Sequence, residues 1–253
     1  MTPQAEPTRV ALVSGATSGI GQAVATRLAD NGFTVVGVGL NAPKRNEETD
    51  RLRIVECDVR ARGQVDAIVA DVLSEHGRID VLCNAAGIKL TGDILSLTDS
   101  DLDETFAVNV KGVLHLMQAV VPVMIGEGGG AIVNIGSPSA LAEPASVAYS
   151  ASKAAVTAIT TSAALQLIAH GVRVNLVVPG STRTGMNETR PESINRELGR
   201  LNVSGRINEP DDVAAAVAFL ASDAAATISG AQLEVGTIAG LIPSPPAIES
   251  EQR

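Results

Sequence analysis

The chain has 253 residues, room for one large α/β domain or two small ones around a sizeable core. A hydrophobic share of 45% argues against disorder, and an aromatic share of 2% without tryptophan leaves no stacking platform for single-stranded nucleic acid. The formal net charge of −9 disfavours a phosphate backbone or an anionic membrane surface as partner.

In chain order, the first strand-like run is VALV at 10–13, and the glycine-rich SGATSGIG at 14–21 leads into the helical pattern QAVATRLADNG. TVVGVG (34–39) and RIVEC (53–57) read as the next strands, followed by a helix over RGQVDAIVADVLSEHG. DVLCN (80–84) is the fourth strand, and one long helix runs from SDLDE to VPVMI. AIVNIG (131–136), the helix SASKAAVTAITTSAALQLIAHG and VRVNLVV (172–178) follow. The polar segment 183–208 reads as a loop or short helices, before the helix PDDVAAAVAFLAS and the strand AQLEV (231–235). The ends, 1–8 and 243–253, read as loose extensions.

Strands alternating with helices imply βαβ units and a parallel sheet in a single domain, and continuous Val/Ile runs imply that both sheet faces are covered. Asp-rich helix starts and glycine stops fit helix polarity. The start MTPQAEPTRV has no signal-peptide pattern, and no apolar run approaches the ~20 residues that span a bilayer. The expectation is a cytoplasmic protein with neither nucleic acid nor membrane as partner. Cys57 and Cys83 stand in apolar runs and read as buried reduced thiols, and His76, His115 and His170 are isolated, so no metal site is expected.

A glycine-rich join between a strand and a helix is a place for phosphate, because the helix N-terminus offers unpaired N–H groups and the positive end of its dipole. Gly15 permits the tight turn. Gly19 and Gly21 remove side chains where a pyrophosphate approaches and where the helix packs on the strand. A glycine-rich turn without a ligand is the competing reading of this stretch alone.

Further motifs follow in order: NAAG at Asn84–Gly87, Asn109 in FAVNVKG, Ser137 in NIGS, YSASK at Tyr149–Lys153 and PGSTRT at Pro179–Thr184. Over nearly the whole chain, from about Arg9 to about Gly240, this series resembles the short-chain dehydrogenase/reductase family. The resemblance implies a Rossmann-like, doubly wound, seven-stranded parallel sheet with helices on both faces. It also implies hydride transfer between a nicotinamide and an alcohol or ketone.

Tyr149 and Lys153 are four apart and share a helix face, which puts an ammonium near a phenol. A nearby cation lowers a phenol's pKa from its usual ~10 and tunes it for proton transfer. The resemblance makes Tyr149 the general acid/base, Ser137 the group that holds the substrate oxygen, and Asn109 a helix-kinking residue that supports a proton relay to Lys153. Tyr149 follows Ser137 by twelve positions, one short of the family's usual spacing, and Ser139 is a rival for the serine role. For the cofactor the resemblance implies Gly15, Thr17, Ser18, Gly19, Ile20 and Gly21 at the phosphates, with Asp58 and Val59 at the adenine. Asn84, Ala85 and Ala86 fall on the ribose side. Tyr149 and Lys153 meet the nicotinamide ribose, and Pro179, Gly180, Thr182 and Thr184 the carboxamide and pyrophosphate.

NAD-preferring members carry an acidic residue where this chain has Gly39, and NADP-preferring members a basic residue where it has Leu40 or Ser18. Lys44 and Arg45 are near enough in sequence to meet a 2′-phosphate, so both NAD and NADP stay open. Ile88, Lys89, Ser139, Leu141, Glu143, Thr189 and the 183–200 loop are expected to line the substrate pocket, with Lys89 or Arg183 meeting an anionic group. The motifs are similar both to dehydrogenases of cyclic diols and to 3-oxoacyl thioester reductases. The departures at Gly39, at the shortened loop and at Gly236 leave a non-catalytic dinucleotide-sensing protein of the same fold as the alternative. Apolar residues on several faces of the helices around 109–124 and 151–170 predict a homotetramer or homodimer.

Overall fold

A computed structural model describes residues 8–42, 49–141, 143 and 145–236. Lys44, Arg45 and the two terminal extensions, apart from Thr8, lie outside these described residues.

The strands are β1 (Val10–Ser14), β2 (Thr34–Gly39), β3 (Leu52–Glu56), β4 (Val81–Asn84), β5 (Gly130–Ile135), β6 (Val172–Pro179) and β7 (Gln232–Val235). They form one parallel sheet in the order β3-β2-β1-β4-β5-β6-β7. The expected runs are recovered with ends moved by about one residue, as fraying ladders allow.

Side-chain alternation along β1 divides the core in two. Val10 and Leu12 join Val36, Val38, Leu82, Ile132 and Leu176 on one face. That face is covered by α2 (Arg62–His76), α4 (Gly112–Gly126) and α5 (Val147–Leu167), through Val65, Val72, Leu116, Val120 and Val156. Ala11 and Val13 join Val35, Val81, Cys83 and Val133 on the other, under α1 (Gly19–Asp30) and α7 (Pro210–Ala221), through Val24, Leu28, Val213, Val217 and Leu220. A strand buried on both sides has no polar positions to alternate, which is why these runs read as unbroken aliphatics. Cys57 and Cys83 are both free and buried, and burial pushes the Cys83 thiol up to about 12.

The expected single long helix is three pieces. Thr98 caps α3 (Asp99–Phe106) with a reciprocal Thr98–Asp101 box, a wider π-type turn follows over Ala107–Lys111, and α4 continues. The turn is widened where Asn109, only 1% exposed, gives its amide to the peptide of Ile88 instead of to solvent. Gly112 lets the helix lie against Val59, since a Cβ there would stand 2.6 Å from Val59 Cγ2. Asp99–Gly126 is also long and apolar enough, by length and composition alone, to cross a membrane, contrary to the expectation that no run is; Leu116, Val120 and Met124 place it in the core.

The segment 183–208 holds a short 3₁₀ turn (Gly185–Asn187) and α6 (Glu192–Gly199). Strand order reverses between β1 and β4, and a crevice opens outside the carboxyl ends of the strands at that point.

Candidate active site

The crevice floor is the turn from β1 into α1. Ser14 Oγ accepts the N–H groups of Ala85 (3.1 Å) and Ala86 (3.2 Å) and so ties the end of β1 to the loop after β4. Gly15, at φ +69°, lies so close to this loop that a Cβ would stand 2.8 Å from Ala86 N. A Cβ at Gly21 would fall onto the Gly15 carbonyl, so α1 can pack this tightly only on glycine. Gly19, at φ +55°, faces the Thr184 methyl, 3.3 Å from where its Cβ would be. No side chain caps α1, and its first turn holds no acidic residue, so its N–H groups and dipole are open to an anion.

A cleft of about 790 Å³ runs from this turn to the end of β6. Gly15, Thr17, Ser18, Gly19, Ile20, Gly21, Asp58, Val59, Ala85, Ala86, Pro179, Gly180, Thr182 and Thr184 line it, together with Ser137, Tyr149 and Lys153. Asn84 and Asn109 do not. Asn84 is buried at 3% exposure and donates to Asn134 Oδ1 at 2.8 Å, bridging β4 and β5 beneath the cleft. Asn109 reaches the site indirectly: it accepts from Ile88 N (2.8 Å) and donates to Ile88 O (2.9 Å) and Ser152 Oγ (3.0 Å). Gly87 lies beside it, where a Cβ would stand 3.3 Å from Asn109 Oδ1 and 3.7 Å from Lys153 Nζ.

Tyr149 and Lys153 project from the first turns of α5, and the Lys153 ammonium is 5.7 Å from the phenol ring centre. Lys153 Nζ donates to Ile135 O at 2.8 Å, and burial brings its pKa down to about 8. The Tyr149 phenol does not follow the expectation of a lowered pKa. Burial pushes it up, its hydrogen bond with Ser137 pulls it partly back, and the nearby Glu143 charge adds to the rise. Lys153, whose ammonium is turned to the Ile135 carbonyl, does not offset that rise.

Ser137, in extended backbone at the end of β5, meets the tyrosine; Ser139 instead gives its N–H to Ser137 Oγ (3.2 Å) and its hydroxyl to Glu143 (3.4 Å). The short loop reaches α5 by pairing with the β4–α3 connection, Gly92 N to Ala145 O and Val147 N to Gly92 O, and the serine and tyrosine stay together.

At the adenosine end, a Cβ on Gly39 would meet the Thr17 side chain at 3.0 Å, so Thr17 fills the place an acidic side chain would take. Asp58 is paired with Arg60 at 2.8 Å, which holds its carboxyl below the usual range. At the other end, Ile88, Lys89, Ser139 and Glu143 line the cleft, while Leu141 (67% exposed) and Thr189 do not; Met186, Asn187 and Arg190 take their place. Arg183 does not line the cleft either. It pairs with Glu192 (3.5 Å) and Glu209 (3.2 Å) and borders a separate hollow against α1, so it is not the anion-binding group the sequence led us to expect. Among the described residues, no group of three or more His, Cys, Asp or Glu side chains converges as a metal site.

An open helix N-terminus, positive-φ glycines that leave backbone exposed and a cleft of small-molecule size together suit a dinucleotide. A family model described as Enoyl-(Acyl carrier protein) reductase matches residues 15–237. D-threitol dehydrogenase of Mycolicibacterium smegmatis is 39% identical over 236 residues, 90% of this chain and 91% of that one. The 3-oxoacyl-[acyl-carrier-protein] reductase FabG of Thermotoga maritima is 36% identical over 231 residues, 88% of this chain and 94% of that one. The ligand-free structure of Thermoplasma acidophilum aldohexose dehydrogenase superposes with a TM-score of 0.85 at 33% identity, covering 94% of this chain and 98% of that one.

Proposed function

From the premise that this chain belongs to the short-chain dehydrogenase/reductase family and is an NAD(P)-dependent oxidoreductase of alcohols and ketones, we propose that Tyr149 is its general acid/base. The observation that carries the assignment is the meeting of Ser137, Tyr149 and Lys153 at the carboxyl ends of β5 and α5's first turn, in one cleft with the α1 N-terminus. Bound in that cleft, the nicotinamide supplies or accepts the hydride.

The chain's own residues do the rest. Gly15, Thr17, Ser18, Gly19, Ile20 and Gly21 hold the pyrophosphate on open backbone; Asp58 and Val59 border the adenine, and Ala85 and Ala86 the ribose. Pro179, Gly180, Thr182 and Thr184 close the cleft from the β6 side. Ser137 holds the substrate oxygen, and Tyr149 takes the proton of an alcohol or gives one to a carbonyl. Lys153, buried and with its pKa brought down to about 8, relays protons and grips the ribose. Asn109 is a positioning residue that fixes the Ile88 peptide next to Lys153. Asn84 acts below the cleft by locking β4 to β5.

The cofactor is NAD or NADP; with Thr17 filling the Gly39 slot and Asp58 paired to Arg60, neither usual discriminating charge is free. We read the chain as a cytoplasmic homotetramer or homodimer, on the support of its acidic charge and of Leu165 and Ile168, 74% and 67% exposed at the end of α5. A monomer by light scattering at micromolar concentration contradicts that assembly. The sensing alternative is not favoured, since the relatives are named as dehydrogenases and reductases. The test is absorbance of reduced nicotinamide during oxidation of secondary alcohols, beside dissociation constants for NAD and NADP. Measurable turnover with at least one cofactor is expected; equally feeble binding of both contradicts the reading.

A further inference from the structure

The substrate end of the cleft carries a charged cluster that proton and hydride transfer leave unused. Lys89 donates to Glu143 Oε2 at 3.2 Å, Ser139 Oγ donates to the same oxygen at 3.4 Å, and Lys89 Nζ is 5.6 Å from the Tyr149 ring centre. The two charged side chains are 23% and 29% exposed, so they form a wall of the cleft rather than a solvated surface pair. Arg190 lines the same end, donating to Asn187 Oδ1 (2.8 Å) and Ser181 Oγ (3.4 Å); burial lowers its pKa from the usual guanidinium value, and the Glu143 charge only partly offsets that.

We propose, resting on the function above, that Glu143 and Lys89 together bind a hydroxyl on the carbon next to the reacting one, so that the substrate is a polyol or sugar-like vicinal diol. A carboxylate has about four acceptor sites and an ammonium three donors. The internal bonds of this pair use two of the former and one of the latter. A neutral hydroxyl both donates and accepts, and so satisfies the two groups at once. An acyl chain laid on this wall would strip water from both charges and return no hydrogen bond. An anionic group would face the Glu143 carboxylate, while the Lys89 charge is already matched. The closeness of Lys89 to the phenol sets the recognised hydroxyl beside the reacting carbon rather than at a distant end.

The experiment compares kcat/KM for threitol and butane-2,3-diol with butan-2-ol, which lacks the second hydroxyl, and with an acetoacetyl thioester in the reducing direction. It is run on the wild type and on Glu143→Ala, Glu143→Gln and Lys89→Met, with cofactor titration of each variant to confirm a folded site. The wild type is expected to favour the diols over butan-2-ol by about a hundredfold or more, as a site built to bond a hydroxyl rejects the analogue without it. Glu143→Ala and Lys89→Met are expected to cut that ratio about tenfold to a hundredfold, the value of one charged hydrogen bond, and Glu143→Gln to restore part of it. A wild type that prefers the thioester, or a diol ratio unmoved by Glu143→Ala, overturns the proposal and leaves the proposed function standing. Turnover of none of these substrates by a protein that binds the dinucleotide sinks both.

Discussion

Replacing Asn109 isolates the part of the site that never touches the cleft. Asn109→Ala removes three hydrogen bonds and leaves the N–H and C=O of Ile88 without their partners. An unpaired buried polar group costs ~1–3 kcal/mol, and because Ile88 is only partly buried the lower end applies, about 2 kcal/mol for the two groups. For a domain of this size that corresponds to a Tm lower by roughly 4–8 °C. The Ile88 peptide adjoins Gly87 and Lys89, so its release also loosens the wall beside Lys153, and kcat is expected to fall about tenfold or more. Asn109→Leu fills the volume without restoring the bonds and separates the two causes. Calorimetry and steady-state kinetics on both variants provide the readout. Leu matching Ala confirms the hydrogen-bond origin; Leu restoring the wild-type Tm and kcat, or Ala leaving Tm within a degree, refutes it.

The Glu143 charge disfavours the Tyr149 phenolate, so Glu143→Gln lowers the phenol pKa and moves the alkaline rise of kcat/KM for alcohol oxidation to lower pH; an unmoved or raised limb contradicts the coupling. Gly39→Asp alone collides with Thr17 and is expected to weaken cofactor binding. With Thr17→Ala it fits and favours NAD over NADP by about tenfold or more, and calorimetric titration of both cofactors decides. Gly21→Ala drives a methyl into the Gly15 carbonyl; overpacking of ~1–3 kcal/mol or more is expected as a lower Tm with loss of dinucleotide affinity, and an unchanged Tm refutes the contact.

The sheet was legible because its central strands are buried on both faces and so write themselves as largely aliphatic runs: Val10–Val13 is unbroken, and Val172–Val178 is interrupted only by Arg173 and Asn175. The glycine turn was legible because Gly15 and Gly21 answer to backbone contacts that no other residue survives. Less was readable where side chains answer to distant partners. The kink at Asn109 was expected from the family resemblance alone, because its cause is a peptide 21 residues earlier and no local period carries that. Asn84 was expected in the cleft because its neighbours line it, but strand alternation turns it inward to Asn134. Arg183 resembles a free cation in the chain and is matched by Glu192 and Glu209, brought to it by α6 and α7. Leu141 and Thr189 were placed by proximity in sequence, and the turns that follow Ser137 and Thr184 carry them away from the cleft. The upward pull of burial on Tyr149 required the packed structure, since the sequence shows only its lysine neighbour.

The most direct measurement is cofactor affinity and turnover of Tyr149→Phe, side by side with the wild type. The variant keeps the ring that Lys89 and Lys153 approach and removes only the hydroxyl that meets Ser137. The account predicts dinucleotide binding within about threefold of wild type and turnover lowered by the ~10²–10⁴-fold that a positioned acid/base supplies. Full turnover by the phenylalanine enzyme would remove Tyr149 from the chemistry.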